Sequence, residues 1–284
     1  MQSSDQILKD SQRVIEAFHD PSPMAMHKII LAPCSPFSVT KELMKESSEL
    51  ARSYGVRLHT HLAETRDEND YCLSVYNKRP LALMEECQLI GPDVFYAHGI
   101  HFTDEELTHL AQSGAQIAHC PSSNMRLGSG ICRVTQMLEK GITVGLGVDG
   151  SASNDSSDML GELRNALLLQ RVEKGAGSLT VREVLDMATI NGAKMLNFGN
   201  IGRIKEGWAA DLALFDVFSL PYAGSLSDPL AALLFCGNNH NAAYTIVNGS
   251  VVVDQGKLVG IDEDELVRKA NAISFSMIGK ANCE

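Results

Sequence analysis

Gly55-Val-Arg-Leu-His59-Thr-His61-Leu-Ala-Glu64 is the stretch on which the reading of the fold turns. Val56, Leu58, Thr60 and Leu62 alternate with Arg57, His59 and His61, a period of two that predicts a short strand. His59 and His61 then share one face, and Glu64 falls just past the strand end, where the chain turns. Imidazole nitrogens ligate divalent metals, and a nearby carboxylate that is not a ligand can move protons. Taken alone, the stretch serves equally well as two histidines packed in a sheet. Its surroundings decide between the two readings.

On either side, helical and strand patterns alternate. Apolar spacings of three and four predict helices over 5–19, 40–53, 68–76, 80–87, 131–140, 160–173 and 181–196. Short apolar runs predict strands over 28–33, 94–98, 115–120 and 143–149. Thr103 with Glu106 three residues on is a capping box for a helix to Ser113, and Ser38 or Thr40 caps the helix over 40–53. Strands that alternate with helices across short loops predict a parallel sheet covered on both faces. His61, His98, His119 and Asp149 each fall at the C-terminal end of a different strand. In an α/β barrel that edge builds the active site.

Composition fits this reading. The 284 residues are 44% hydrophobic and 21% charged, as in globular chains with a sizeable core. A net charge of −11 argues against a general nucleic-acid or acidic-membrane binder. No apolar run approaches ~20 residues, so no membrane span is expected. The seven cysteines, Cys283 among them, form no C-x-x-C pair and are odd in number, which favours reduced thiols and a cytoplasmic location.

Past residue 198 the pattern changes to glycine turns and short β runs, with a hairpin turning on Asn248-Gly249 and a final helix over 262–278. The expected division is a βα region over 1–198, a small β-rich module over 199–261 and a C-terminal helix over 262–284 that packs on the first region.

Together the ordered motifs carry a resemblance. His61-Leu-Ala-Glu64, Ala97-His98-Gly99, Ala118-His-Cys-Pro-Ser-Ser-Asn124 and Gly145-Leu-Gly-Val-Asp149-Gly-Ser-Ala-Ser-Asn-Asp155 resemble the amidohydrolase superfamily, in its guanine deaminase and triazine hydrolase branch. Within the branch, Leu31-Ala-Pro-Cys34-Ser-Pro-Phe-Ser-Val, Asn124-Met-Arg-Leu-Gly-Ser-Gly-Ile and Ala166-Leu-Leu-Leu-Gln-Arg-Val172 look most like the 8-oxoguanine deaminases. The resemblance implies a (β/α)8 TIM barrel of the metal-dependent hydrolase type with a flanking β-sandwich. The superfamily's first-strand His-x-His pair has no counterpart before residue 59. His59-Thr-His61 sits in the fifth-strand context instead, so strands 4–8 are expected here, with the C-terminal part of the sandwich, as the latter portion of a longer protein.

The resemblance also implies roles. His61 and Asp149 would ligate one divalent ion, zinc first and iron second. Asp149 would take the proton of the bound water, His98 would orient that water or the substrate, and Glu64 would protonate a ring nitrogen as the amino-bearing carbon is attacked. Cys34, Asn124, His98 and Glu64 would face the substrate, a purine or triazine, with 8-oxoguanine giving uric acid and ammonia. A homo-oligomer is implied, with neither nucleic acid nor membrane as partner.

Plainer readings stand beside these. Asp149 could cap its loop, His98 could be a hydrogen-bonded strand-end histidine, and Cys34 could be a small buried thiol. His59 reads as structural, His119 and Asn124 as loop-shaping, Ser151 and Ser153 as turn formers, and His101, His109 and His240 as solvent or loop residues. For the whole chain, the alternatives are a related guanine, hydroxytriazine or S-adenosylhomocysteine aminohydrolase or chlorohydrolase, and an inactive partial product that lacks the His-x-His ligands.

Overall fold

The computed structural model describes residues 2–237 and 241–281, so His240 and Cys283 lie outside the described residues. The chain forms two compact units, one ending at Arg203 and the other starting at Ile204.

The first unit is built on five parallel strands in sequential order: β1 (Ile30–Leu31), β2 (Arg57–Leu62), β3 (Val94–His98), β4 (Gln116–His119) and β5 (Val144–Leu146). Helices Lys41–Tyr54, Arg66–Tyr76 and Pro80–Glu86, Asp104–Ser113, and Pro121–Leu127 and Val134–Glu139 fill the successive crossovers. Their ends follow local chemistry. Thr40 Oγ1 accepts from Leu43 N, which settles the choice of cap in favour of Thr40, and Gly55 closes the same helix at φ 66° two residues before β2 begins. The Thr103–Glu106 capping box forms as expected.

β2 alternates as the sequence predicts. Leu58, Thr60 and Leu62 are buried, whereas Arg57, His59 and His61 on the other face are half-buried. β3, β4 and β5 are buried on both faces, as expected of parallel strands covered by helices. Register aligns Leu62 with His98, and His119 with Leu146, at the C-terminal edge. One row earlier His61, Ala97, Ala118 and Gly145 stand side by side. The row beyond His61 is therefore made of three small residues, and a larger one at Gly145 would meet Met195, whose Cε lies 2.9 Å from where a Cβ would stand.

Three elements differ from expectation. Pro121–Leu127 is a helix where Cys-Pro-Ser-Ser-Asn reads as loop, because Pro121 occupies its first turn without needing an N–H. β5 stops at Leu146, so Asp149 lies beyond the strand, in a left-handed turn at φ 65°. The helical run 181–196 contains a π-helical segment, Met187–Asn191.

The second unit carries an antiparallel sheet, β6 (Leu212–Leu214), β7 (Tyr244–Val247), β8 (Ser250–Asp254) and β9 (Lys257–Leu258). Asn248 and Gly249, at φ 45° and 83°, make the expected hairpin turn. Helices Pro229–Phe235 and Glu263–Ala281 complete it.

Candidate active site

His61 is held from behind. Its Nδ1 lies 2.8 Å from the Cys34 carbonyl oxygen, which also accepts from His61 N at 3.0 Å and Thr60 Oγ1 at 3.1 Å. Donation from Nδ1–H leaves Nε2 as the lone-pair nitrogen, and that atom stands 3.7 Å from Asp149 Oδ1.

His98 repeats the arrangement from the next strand. At φ 71° it ends β3, and its Nδ1 lies 2.8 Å from Asn124 Oδ1. The side chain is 1% exposed, yet Nε2 has no hydrogen-bond partner among the described residues. It stands 3.6 Å from Glu64 Oε2 and 4.0 Å from Asp149 Oδ2.

Asp149 Oδ2 accepts from Ser123 Oγ at 2.6 Å and Ser153 Oγ at 2.8 Å. Burial pushes its carboxyl up, but these hydroxyls and the Gly150 N–H outweigh burial, and the net shift is downward. The loop is anchored behind: Asn154 Nδ2 donates to the Val148 carbonyl at 2.9 Å and to buried Glu162 at 2.8 Å, and Glu162 also accepts from Ser122 N at 3.0 Å. Glu64 follows Ala63, which has φ 53°, and Ser129 Oγ lies 3.3 Å from its Oε1.

His61, His98 and Asp149 therefore converge, each offering an atom within 4.8 Å of the others. Two imidazole lone pairs and a carboxylate meet there with no donor hydrogen among them, and one of the lone pairs is buried without a partner. Such a donor set suits a divalent cation, and carbonyl or amide oxygens behind each ring are the usual outer support of ligating histidines. The residues fit a metal ion.

Other sequence candidates fall outside this group. His59 stacks on Phe95 at 4.5 Å, and burial, with His61 adding to it, pushes its imidazole down to about 4. His119 is fully buried and has no hydrogen-bond partner for either nitrogen among the described residues; burial pushes it down to about 3. His101 Nε2 lies 3.0 Å from the Ser129 carbonyl, and His109 sits 3.3 Å from Glu85. Asn124 is fully buried, with its side-chain oxygen on His98. The reading of Cys34 as a buried thiol is corrected: β1 is an edge strand two residues long, so Cys34 lies beyond its last paired residue and is exposed. Sequence reasoning missed Ser123, Ser129, Glu68 and Glu162. The signal for Ser123 is the Ser-Ser-Asn run after Pro121, whereas Ser129 and Glu162 reach their partners across 65 and 40 residues and leave no local pattern.

Comparison with known proteins agrees with this geometry. The Amidohydrolase family pattern matches residues 2–252. The chain belongs to the amidohydrolase family, and its five βα units are part of that family's TIM-type barrel. It is 45% identical over 278 residues to the 8-oxoguanine deaminase of Pseudomonas aeruginosa, covering 98% of this chain and 62% of that protein. It is 38% identical over 275 residues to the hydroxydechloroatrazine ethylaminohydrolase of a Pseudomonas species, covering 96% and 57%. Among solved structures, the atrazine chlorohydrolase TrzN of Arthrobacter aurescens TC1, complexed with zinc, superposes with a TM-score of 0.91 at 33% identity, covering 95% and 60%. The chain thus spans about 60% of the length of the relatives it matches.

Proposed function

We propose that this chain serves the metal-dependent hydrolytic deamination of a purine-like heterocycle, with 8-oxoguanine, giving uric acid and ammonia, as the first substrate to test. The observation that carries this reading is the convergence of His61, His98 and Asp149 within 4.8 Å, with Glu64 3.6 Å from His98. Of the three, His61 Nε2 and Asp149 would hold the ion, zinc first and iron second, and the His98 lone pair beside them stays free to meet the attacking group. A divalent ion held there lowers the pKa of a bound water toward neutrality.

The chain's own residues then handle protons. Asp149, kept ionised by Ser123 and Ser153, accepts the proton released as water oxygen bonds to the amino-bearing ring carbon. His98 Nε2, its lone pair directed by Asn124, accepts a hydrogen bond from the attacking group and orients it. Glu64 in its protonated form gives its proton to the adjacent ring nitrogen. As a carboxylate it then takes the proton of the added hydroxyl and passes it to the amino group, so that C=O forms as the C–N bond breaks and ammonia leaves, and the proton held by Asp149 returns Glu64 to its acid form. Cys34 takes the rim position, with its thiol exposed beside the carbonyl that anchors His61.

The substrate assignment is supported by the 45% identity to an 8-oxoguanine deaminase. None of the six cysteines among the described residues is paired, in keeping with a reducing, cytoplasmic setting. Among the described residues no helix is long and apolar enough to cross a membrane. The test is ammonia release by the zinc-loaded protein from 8-oxoguanine, guanine and a hydroxytriazine side by side. Preference for 8-oxoguanine is expected; turnover of another of the three in its place overturns the substrate assignment.

A further inference from the structure

Thr65-Arg-Asp-Glu68, Thr103-Asp-Glu-Glu106 and Thr180-Val-Arg-Glu183 are one helix-start pattern used three times. In the second and third copies the glutamate folds back onto its own cap: Glu106 Oε2 lies 2.8 Å from Thr103 N, and Glu183 Oε2 lies 2.8 Å from Thr180 N. In the first copy the threonine plays its usual part, with Thr65 Oγ1 accepting from Glu68 N at 3.2 Å. The glutamate does not. Glu68 Oε1 accepts from Ala63 N at 2.8 Å and Oε2 from Glu64 N at 3.1 Å.

One carboxylate therefore bridges two successive N–H groups of the turn that carries Glu64. Helix capping does not call for this, since the other two copies cap their helices without it. The turn does call for it: Ala63 sits at φ 53°, a left-handed conformation strained for an alanine and held only where its surroundings impose it. Glu68 is 2% exposed, and burial pushes its carboxyl up to about 7 against the pull of the two N–H bonds. An ionisable group is thus kept in an unfavourable place directly beneath Glu64.

We propose that Glu68 is a positioning residue for proton transfer: its buried carboxylate pins the Ala63–Glu64 turn and so sets where the Glu64 carboxylate stands relative to His98. This rests on the reading of Glu64 as the proton carrier. Glu68 touches neither the metal-binding group nor the substrate space; it acts through the backbone of Glu64.

The substitution that isolates this role is Glu68→Gln, which keeps length and volume but turns one acceptor oxygen into an NH2 facing an N–H. The full 284-residue chain is compared as wild type, E68Q, E64Q and E64Q/E68Q, with zinc content and thermal melting recorded for each. In the metal-free protein, amide hydrogen exchange at Ala63 and Glu64 is followed by NMR. At least one of these amides is expected to exchange about tenfold faster in E68Q; protection equal to wild type at both overturns the clamp.

Turnover supplies the second readout. E68Q is expected to lose about 10²-fold in kcat with KM within about twofold, the scale of a reacting group misplaced by about 1 Å. E64Q/E68Q is expected to be no slower than E64Q, because Glu68 has nothing left to position. Multiplied losses in the double variant, or a wild-type kcat in E68Q beside an inactive E64Q, overturn the positioning role. Wild-type turnover in E64Q overturns the proton-carrier reading and the positioning role with it, leaving the clamp to be judged on amide exchange alone.

Discussion

Asn124 Oδ1 stands 2.8 Å from His98 Nδ1, and that contact decides which imidazole nitrogen faces the acidic groups. An oxygen there accepts Nδ1–H, so the lone pair is left on Nε2, the buried atom that looks toward Glu64 and Asp149. On the neighbouring strand the Cys34 carbonyl does the same for His61.

Asn124→Ala removes the acceptor and lets both tautomers of His98 populate. Nitrogen-15 NMR of the His98 ring should show a single Nδ1–H tautomer in wild type and a mixture in the variant. Turnover should fall about 10–100-fold, the usual cost of losing such outer support. An unchanged tautomer in the variant would show that Asn124 does not direct the ring.

Glu64 lies 3.6 Å from His98 Nε2 but outside the metal-binding group. Glu64→Gln should therefore leave zinc content unchanged while kcat falls about 10²–10⁴-fold, the range for a lost general acid–base group. Metal analysis and steady-state kinetics on one preparation separate the two effects. Loss of zinc together with activity would place Glu64 among the ligands instead.

Glu68 makes a pH prediction whose sign runs against the usual carboxylate. Its folded-state pKa is raised from 4.5 to about 7, burial being the main cause. Its contribution to stability is therefore fully present below about 4.5 and is lost as pH climbs through about 7. Between those limits wild type should lose about 3 kcal/mol that E68Q, which cannot ionise there, does not lose. Urea unfolding of both proteins at pH 5 and pH 8 measures the difference; parallel pH dependence would contradict it.

What could be read from the sequence was local or periodic. The alternation of Arg57–Leu62 placed β2 and the shared face of His59 and His61, and Thr103 with Glu106 announced a helix start that needs only its own backbone. The ordered motifs that contain His61, His98 and Asp149 pointed to one sheet edge, where these three side chains converge. What escaped was set by geometry between distant segments. Asp149 is carried off its strand by a left-handed turn, and Ser123, 26 residues away in sequence, reaches it from a helix that Pro-Ser-Ser-Asn disguises as loop. Cys34 matters through its backbone carbonyl, which no side-chain pattern signals. Glu68 stands at the start of the helix expected over 68–76, and its fold-back onto the Ala63 and Glu64 N–H groups has no local pattern to signal it.

The most direct test of the site is the zinc content of the purified 284-residue chain, wild type beside His61→Ala and Asp149→Asn, by elemental analysis after equilibration with zinc and desalting. About one zinc per wild-type chain, lost from both variants, is the expected result for a metal held by His61 and Asp149. A wild-type chain that retains no zinc, or variants that retain as much as wild type, would contradict it.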